Sequence, residues 1–277
     1  SSLTWSPDGT QLAFSMFVPA PPPVMAKIPQ KPTGAKWAKS PRITNRLKHE
    51  ADGRGYLPPG FSHLFVIPAE GGAVRQITSG DFHHRGKISW AQDQTKIYFS
   101  ANRTEDWEYD FRNSEIYSVN LSDYSIEMLT DRDGPDRSPA VSPDGKTIAY
   151  LGFDDKREAY QNTLLYLMQT DGTNKRLLSA SLDASISDIH WDSKGAHLYF
   201  AYDHHGNGKI GKIDLSGTVQ KLADHRGGTT LGRPYGSGMY SVSKQGKIAY
   251  TFTRPNHPAD IAVLDDNGKS WKRLTAL

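Results

Sequence analysis

The chain has 277 residues, of which 36% are hydrophobic and 23% are charged, and it contains no cysteine. Its mean hydropathy of -0.61 is typical of a globular protein with a polar surface. The lack of cysteine excludes disulfide bonds, thiol catalysis and cysteine-based zinc or iron–sulfur sites. The apolar runs are far shorter than the roughly 18 residues that a membrane-spanning helix needs. We therefore expect a soluble protein with no membrane segment, and the compartment stays open between cytoplasm and periplasm.

The net charge of +3 is unevenly distributed along the chain. Residues 17–62 carry eight Lys or Arg side chains against two acids, which gives this stretch a charge of +6. A basic patch can attract nucleic acid, but this one lacks interleaved stacking aromatics and a reading helix. We therefore predict no nucleic-acid partner.

A short string recurs five times and organises the whole chain. The first copy is Trp-Ser-Pro-Asp-Gly, and the later copies keep its anchor position and its turn character. The copies begin at Trp5, Trp90, Val141, Trp191 and Val242, with spacings of 85, 51, 50 and 51 residues. Repeats of roughly 40 to 50 residues are typical of β-propellers, in which each repeat forms one blade.

Three apolar runs follow each anchor, and their aromatic and β-branched content favours strands. The second strands are predicted at Leu12–Phe14, Ile97–Phe99, Ile148–Tyr150, Leu198–Phe200 and Ile248–Tyr250. The third strands are predicted at Leu64–Ile67, Ile116–Val119, Leu164–Met168, Ile210–Ile213 and Ile261–Leu264. The fourth strands end near Thr78, Thr130, Leu178, Ala223 and Thr275. A β-sandwich would not repeat these four strands five times in register, so we predict an all-β propeller of four-stranded antiparallel blades.

The spacings predict a single propeller domain over residues 1–277. Its five blades are predicted at 1–78, 79–130, 131–178, 179–223 and 224–277. The first spacing exceeds the others by about 35 residues, which predicts an insertion at residues 17–62, between the second and third strands of blade 1. The prolines of this insertion exclude regular structure, and any helix, under a tenth of the chain, is expected only there.

The two faces of the predicted propeller differ in loop length. If the first strand of each blade lies at the axis, the second-to-third and fourth-to-first links emerge on one face, here called the loop face. The other face carries tight turns only. Long links are predicted on the loop face, among them 102–114, 153–162, 203–208 and 253–259. Function is usually built on long loops of a rigid scaffold, so we expect the functional site on this face.

One link of the loop face alternates acids with aromatic residues. Such a pattern favours contact with the cationic end of a ligand. The candidate substrate-binding residues are Arg103, Glu105, Asp106, Trp107, Glu108, Asp110 and Arg112. The alternative is a solvated loop whose rings pack on the blade.

Histidines are common on the predicted loop-face links. These residues are His49, His83, His84, His204, His205, His225 and His257. They could assemble a metal site from separate blades, but no ligand spacing supports one. We therefore predict no metal site and no cofactor, and a metal-dependent propeller lyase remains an alternative.

No catalytic serine is predicted in the chain. The nearest string to a nucleophile elbow is Tyr235-Gly236-Ser237-Gly238-Met239, and it lacks the strand-to-helix context that exposes such a serine. We predict no catalytic residues, and hence no hydrolysis of peptides or esters by the isolated chain.

The repeats resemble the WD40-like propeller repeats of the prolyl oligopeptidase family of serine peptidases. Blade-specific strings resemble the acylaminoacyl-peptidase and bacterial dipeptidyl-peptidase branch of this family. Examples are Asp52-Gly53-Arg54-Gly55-Tyr56, Asn113-Ser114-Glu115-Ile116-Tyr117 and Asp203-His204-His205-Gly206. The resemblance covers essentially the whole chain, although propellers of the periplasmic Tol system share the repeats.

This resemblance implies a non-catalytic propeller that gates and orients short peptides for an α/β-hydrolase domain of the parent chain. That hydrolase domain would be absent from this chain. The resemblance also implies that the five blades are part of a seven- or eight-bladed ring. The alternative function is a stand-alone binding or scaffold propeller of the Tol type. If the blades form an arc, the terminal blades would expose apolar residues near Trp5, Phe14, Ile261 and Trp271, and we expect possible self-association.

Overall fold

The computed structural model describes residues 2–21, 24, 26, 29–39, 41–228 and 238–275. These residues form β-strands and no helix. Within them, the strands assemble into five four-stranded antiparallel blades and one two-stranded hairpin. The all-β fold and the predicted number of blades are therefore confirmed. The described residues include no helix with the length and apolarity that crossing a membrane requires.

The strands of the first three blades follow one another in sequence, apart from a hairpin inserted in blade 1. Blade 1 contains β1 (Leu3–Trp5), β2 (Gln11–Pro19), β5 (Gly60–Pro68) and β6 (Arg75–Gln76), and the hairpin contains β3 (Glu50–Ala51) and β4 (Gly55–Tyr56). Blade 2 contains β7 (Ser89–Trp90), β8 (Lys96–Ala101), β9 (Glu115–Asn120) and β10 (Ile126–Met128). Blade 3 contains β11 (Asp136–Val141), β12 (Thr147–Gly152), β13 (Leu164–Gln169) and β14 (Arg176–Leu177).

The last two blades are joined through their sheets. Blade 4 contains β15 (Ile186–Trp191), β16 (His197–His204), β17 (Asn207–Asp214) and β18 (Val219–Arg226). Blade 5 contains β19 (Tyr240–Val242), β20 (Ile248–Arg254), β21 (His257–Leu264) and β22 (Trp271–Arg273). β18 continues beyond its own blade and pairs with β20 at Arg226 and Phe252. The first strands of blades 2, 3 and 4 contact one another around the axis, as β11 touches both β7 and β15.

The hydrophobic core lies between successive blades. Side chains alternate along a strand, so each middle strand contributes to two neighbouring core layers. Ile97 and Phe99 of β8 pack toward blade 1, whereas Tyr98 between them packs toward blade 3. Ile148 of β12 packs toward blade 2, and the adjacent Ala149 packs toward blade 4. The apolar runs in the sequence are continuous because both faces of each middle strand are buried.

A hydroxyl group recurs at the end of the fourth strand and ties it to the third strand. In each case the hydroxyl accepts a hydrogen bond from a backbone N–H 14 residues earlier, at 2.8–2.9 Å. The pairs are Thr78 with Leu64, Thr130 with Ile116, Ser179 with Leu165, and Thr275 with Ile261. This bond satisfies a backbone donor of the third strand and ties that strand to the end of the fourth.

The insertion of blade 1 is shorter than its predicted bounds. β2 and β5 continue to pair as far as Pro19 and Gly60. Gly60 has a φ of 136°, and a Cβ atom there would run into the carbonyl oxygen of Val18. Beyond this point the insertion contains the small β3–β4 hairpin, so it is not entirely irregular.

Two of the predicted long links are two-residue turns. β16 pairs with β17 as far as His204 and Asn207, and β20 pairs with β21 as far as Arg254 and His257. Both central residues of the first turn, His205 and Gly206, have positive φ angles of 52° and 73°, which suits a two-residue hairpin. The predictions of long links at 203–208 and 253–259 are therefore wrong.

Candidate functional site

The second-to-third links of blades 2 and 3 are long and line a groove on the loop face. The blade 2 link, residues 102–114, is a succession of tight turns. The Asn102 side chain donates to the Asp110 carbonyl at 2.7 Å, and the Asp110 N–H donates to the Asp106 carbonyl at 3.0 Å. These bonds give the link a defined shape, so its side chains are directed to separate places.

Arg103 and Trp107 of this link pack inward. The Arg103 guanidinium donates to Nε2 of His84 and lies over the Phe82 ring at 4.9 Å from its centroid. The Trp107 ring meets Phe61 edge-on at a centroid distance of 6.2 Å. These contacts join the link to blade 1, so both residues have a structural role here.

Arg46 of the insertion completes this packing. Its guanidinium lies 4.0 Å from the centroid of the Phe61 ring and 5.6 Å from that of Trp107. It also donates to the Gly60 carbonyl at 3.3 Å. Cation–π contacts of this kind favour a fixed geometry, so the insertion is held against the blade 2 link.

Asp106, Asp110 and Arg112 face a different space. They line a groove of about 520 Å³ between the links of blades 2 and 3. The remaining lining residues are Tyr109, Phe111, Asp155 and Arg157. Arg112 pairs with Asp155 at 3.6 Å across the groove. We call this space the acidic groove, because its three carboxylates outnumber its two guanidinium groups.

The acidic groove combines charge with exposed rings. Tyr109 and Phe111 are 76% and 77% exposed. A groove with carboxylates and accessible aromatic faces can hold a cationic group that carries an apolar neighbour. Glu105 is exposed and Glu108 is half-buried. Neither of these two glutamates lines the groove.

The histidines of blades 1 and 2 form a buried group behind the link. His84 is fully buried, and its ring lies 5.3 Å from that of His63. Burial, reinforced by the positive charge of Arg103, lowers the pKa of His84 to about 3. Burial, reinforced by Arg85 and Arg46, lowers the pKa of His83 to about 4. Both rings are therefore neutral near pH 7 and pack as part of the blade junction.

The predicted histidine positions do not converge on a metal centre. In the part of the chain that the structure describes, no group of three His, Asp or Glu side chains is placed to hold a metal ion. Within the same residues, no serine hydroxyl is hydrogen-bonded to a histidine ring. The string Tyr235-Gly236-Ser237 lies outside the described residues.

A second polar cluster lies between blades 2 and 3, and sequence reasoning missed it. Burial raises the pKa of Glu115 to about 7, although the Thr130 hydroxyl donates to this carboxyl at 2.5 Å. Nearby, Arg132 pairs with the buried Asp136 and lies over the Tyr166 ring at 4.0 Å from its centroid. A cavity of about 180 Å³ adjoins Arg132 and Asp136. The sequence signal for this cluster is weak, because the four polar residues come from two blades and the link between them.

Comparison with known proteins finds similarity to dipeptidyl peptidases. Residues 34–150 match the model of the dipeptidyl peptidase IV (DPP IV) N-terminal region. Dipeptidyl-peptidase 5 of Porphyromonas gingivalis is 32% identical over 142 residues, which cover 49% of this chain and 20% of that protein. The matched stretch is therefore about one fifth of the relative's length.

Solved structures share the fold at low sequence identity. The acylaminoacyl peptidase of Pyrococcus horikoshii matches with a TM-score of 0.67 and 15% identity, over 100% of this chain and 38% of that one. TolB from Acinetobacter baumannii matches with a TM-score of 0.60 and 17% identity, over 98% of this chain and 53% of that one. The similarity to peptidases comes from the model match and the dipeptidyl-peptidase 5 relative, whereas the solved structures show the fold. The chain is a β-propeller that is similar to the N-terminal region of dipeptidyl peptidase IV and to dipeptidyl-peptidase 5.

Proposed function

We propose that this propeller is a non-catalytic domain that gates and orients short peptides for a serine exopeptidase or oligopeptidase. In this proposal an α/β-hydrolase domain of the parent chain supplies the nucleophile. The observation that carries the proposal is the acidic groove on the loop face, in a chain that matches the dipeptidyl peptidase IV N-terminal region.

The groove supports a role for the free amino end of the peptide. Asp106 and Asp110 are the two carboxylates that the blade 2 link contributes to the groove, whereas Asp155 is already paired with Arg112. An ammonium group would gain charge-assisted hydrogen bonds from the first two. Tyr109 and Phe111 would then cover an apolar side chain next to the amino end.

Peptide binding to the chain tests this role. We expect a short peptide with a free amino end to bind, and its N-acetylated form to bind at least about tenfold more weakly, since a charged hydrogen bond contributes about 1.5–3 kcal/mol. The double variant Asp106→Asn, Asp110→Asn is expected to lose this preference. The control is Asp133→Asn, because Asp133 is an exposed loop-face carboxylate that does not line the groove. Equal binding of both peptides by the unchanged chain would contradict the proposal.

Catalysis by the isolated chain is a separate test. We expect no turnover of an aminoacyl chromogenic ester, since no position matches a nucleophile elbow. Turnover that a serine-directed phosphonate abolishes would contradict the non-catalytic role.

A scaffold function of the Tol type is the second candidate, and the fold shared with TolB supports it. A scaffold would not need the acidic groove for short peptides. Absence of peptide binding, with the fold intact, would therefore favour the scaffold.

A further inference from the structure

Four cationic side chains lie close together beside the blade 2 link. They are Arg46, Lys48 and Arg54 of the insertion and Arg85 of the link between blades 1 and 2. Within the described residues, no carboxylate forms an ion pair with any of these four, including those of Glu50 and Asp52 in the β3–β4 hairpin. We call the four residues the basic cluster.

Three members of the basic cluster lie around the His83 ring. Arg46 lies over the Phe61 ring, and the centroid of that ring is 5.3 Å from the centroid of His83. Arg85 follows His83 by two residues in the chain. Burial lowers the pKa of His83 to about 4, and the positive charges of Arg85, Arg46 and Lys48 contribute to the same shift. The three cations are therefore close enough to act on one ring.

The fourth member, Arg54, lies near Arg85. Arg54 is in the turn of the β3–β4 hairpin, where its N–H donates to the Ala51 carbonyl at 3.0 Å. Partial burial, together with the positive charge of Arg54, lowers the pKa of the Arg85 guanidinium. Like charges that the fold holds near one another repel, and such a concentration of one sign attracts ligands of the opposite sign. The basic cluster therefore favours an anionic ligand.

The blade 2 link separates the basic cluster from the acidic groove. The Trp107 ring meets His83 edge-on at a centroid distance of 6.0 Å, and the Arg46 guanidinium lies 5.6 Å from the Trp107 centroid. The preceding residue, Asp106, lines the acidic groove on the other side of the link. An extended peptide covers about 3.3–3.6 Å per residue, so a peptide of about five residues is long enough to cross the link and reach both sites.

We propose that the basic cluster binds carboxylate groups of a peptide whose amino end occupies the acidic groove. The substrate class is then a short peptide with acidic side chains after its amino end. Arginine suits this role, because its guanidinium group can donate two parallel hydrogen bonds to one carboxylate. The orientation of the peptide rests on the proposed function, whereas carboxylate binding by the basic cluster can be measured without it.

Binding of a blocked acidic peptide tests the basic cluster alone. The probe is tetraglutamate with an acetylated amino end and an amidated carboxyl end, and tetraglutamine blocked in the same way is its neutral match. At low ionic strength we expect tetraglutamate to bind at least about tenfold more tightly than tetraglutamine, and added salt should reduce this ratio. Arg54→Gln with Arg85→Gln should abolish the preference, whereas Arg54→Lys with Arg85→Lys should retain most of it, because the charges remain.

The matched control removes the same charge from the opposite face. Lys146→Gln with Lys194→Gln changes two exposed lysines in the first-to-second turns of blades 3 and 4, and it should bind tetraglutamate as the unchanged chain does. Equal binding of the two blocked peptides by the unchanged chain would overturn the proposal. Equal weakening in the control would overturn it as well, since net charge alone would then be the cause. Tighter binding of a tetranucleotide than of tetraglutamate would overturn it in favour of a nucleic-acid site.

A peptide with a free amino end tests the orientation. The probe is three alanines followed by two glutamates and an amidated end, compared with its N-acetylated form and with the form that carries two glutamines. We expect each change to weaken binding to the unchanged chain. A response to the glutamates without a response to acetylation would contradict the proposed function and the orientation, while carboxylate binding would stand. A response to acetylation without a response to the glutamates would overturn the role of the basic cluster, while the proposed function would stand.

Discussion

Blades 1 to 3 and blades 4 to 5 have the same four-stranded architecture but very different second-to-third links. In blades 2 and 3 these links are long and form the acidic groove. In blades 4 and 5 they are the two-residue turns His205-Gly206 and Pro255-Asn256. The repeated core supports both kinds of link, because each blade is held by its neighbours through the middle strands. Function can therefore be concentrated on one side of the ring without a change in the fold.

Acid should destabilise the junction between blades 1 and 2, and this is the largest effect we expect. The folded-state pKa values of about 4 for His83 and about 3 for His84 lie below the ordinary value of 6.5. The unfolded chain therefore binds protons that the folded chain does not, so stability is full above pH 6.5 and falls as the pH decreases toward 4. The free energy of unfolding should drop by up to about 1.4 kcal/mol per pH unit for each histidine.

Urea unfolding between pH 7 and pH 4 measures this slope. The double variant His83→Gln, His84→Gln should reduce this slope, because glutamine does not titrate. Glutamine can still accept the hydrogen bond from Arg103. The control is His204→Gln with His205→Gln, because both of these histidines are exposed on blade 4. If the two double variants have the same acid slope, the buried histidines are not its cause.

The junction between blades 2 and 3 should show the opposite pH dependence. The pKa of Glu115 is about 7 in the folded chain, above its ordinary value of 4.5. The full stability is present below pH 4.5 and is lost as the pH rises through 7. Glu115→Gln should therefore be more stable than the unchanged chain at pH 8 by up to about 3 kcal/mol, and similar to it at pH 4.5.

In blade 5, as in blade 2, the hydroxyl at the end of the fourth strand donates to a buried carboxylate, and in blade 5 an arginine of the same blade pairs with that carboxylate. There the Thr275 hydroxyl donates to Asp260 at 2.7 Å, and Arg273 pairs with the same carboxylate.

The exposed Glu127 of blade 2 provides the matched control for Glu115→Gln. Glu127→Gln should leave the stability at pH 8 unchanged within about 0.5 kcal/mol. Destabilisation by Glu115→Gln at pH 8 would show that the charged form is the stabilising one.

A glycine next to the blade 4 turn should tolerate substitution less well than an exposed position of the blade 2 link. A Cβ atom on Gly208, next to the blade 4 turn, would run into the carbonyl oxygen of Arg226. We expect Gly208→Ala to cost about 1 to 3 kcal/mol through this overlap. Glu105→Ala, on the exposed blade 2 link, should stay within about 0.5 kcal/mol of the unchanged chain. Equal thermal midpoints for the two variants would contradict the expected effect of this overlap.

Self-association is the smallest effect and concerns the outer blades. Trp90 of blade 2 is 4% exposed and donates to the Thr4 carbonyl of the preceding blade, whereas Trp5 of blade 1 is 57% exposed. Ile261 of blade 5 is 46% exposed. Exposed apolar surface of this kind favours association, so we expect light scattering to report oligomers at millimolar concentration and less of them for Trp5→Ser. A compact monomer of the unchanged chain at that concentration would contradict this.

Sequence patterns located the candidate site only in part. The alternation of acids and rings predicted seven binding residues on the blade 2 link and did not distinguish among them. The structure directs Arg103 and Trp107 into the blade junction, and it directs Asp106, Asp110 and Arg112 into the groove. This division depends on tight turns and on partners such as His84 that are far away in sequence, and no local pattern reports it.

The amino-acid sequence by itself determined the number of blades and the position of their core strands. These features depend on side-chain alternation and on a repeated anchor, both of which are local and recur at nearly constant spacing. Tertiary structure alone decided which charges meet across blades, as in the contact of Lys87 with Asp188 or the burial of Glu115 behind Thr130. Such contacts join residues from different repeats, so they depend on the curvature of the ring and on the path of each link, which short-range patterns do not specify.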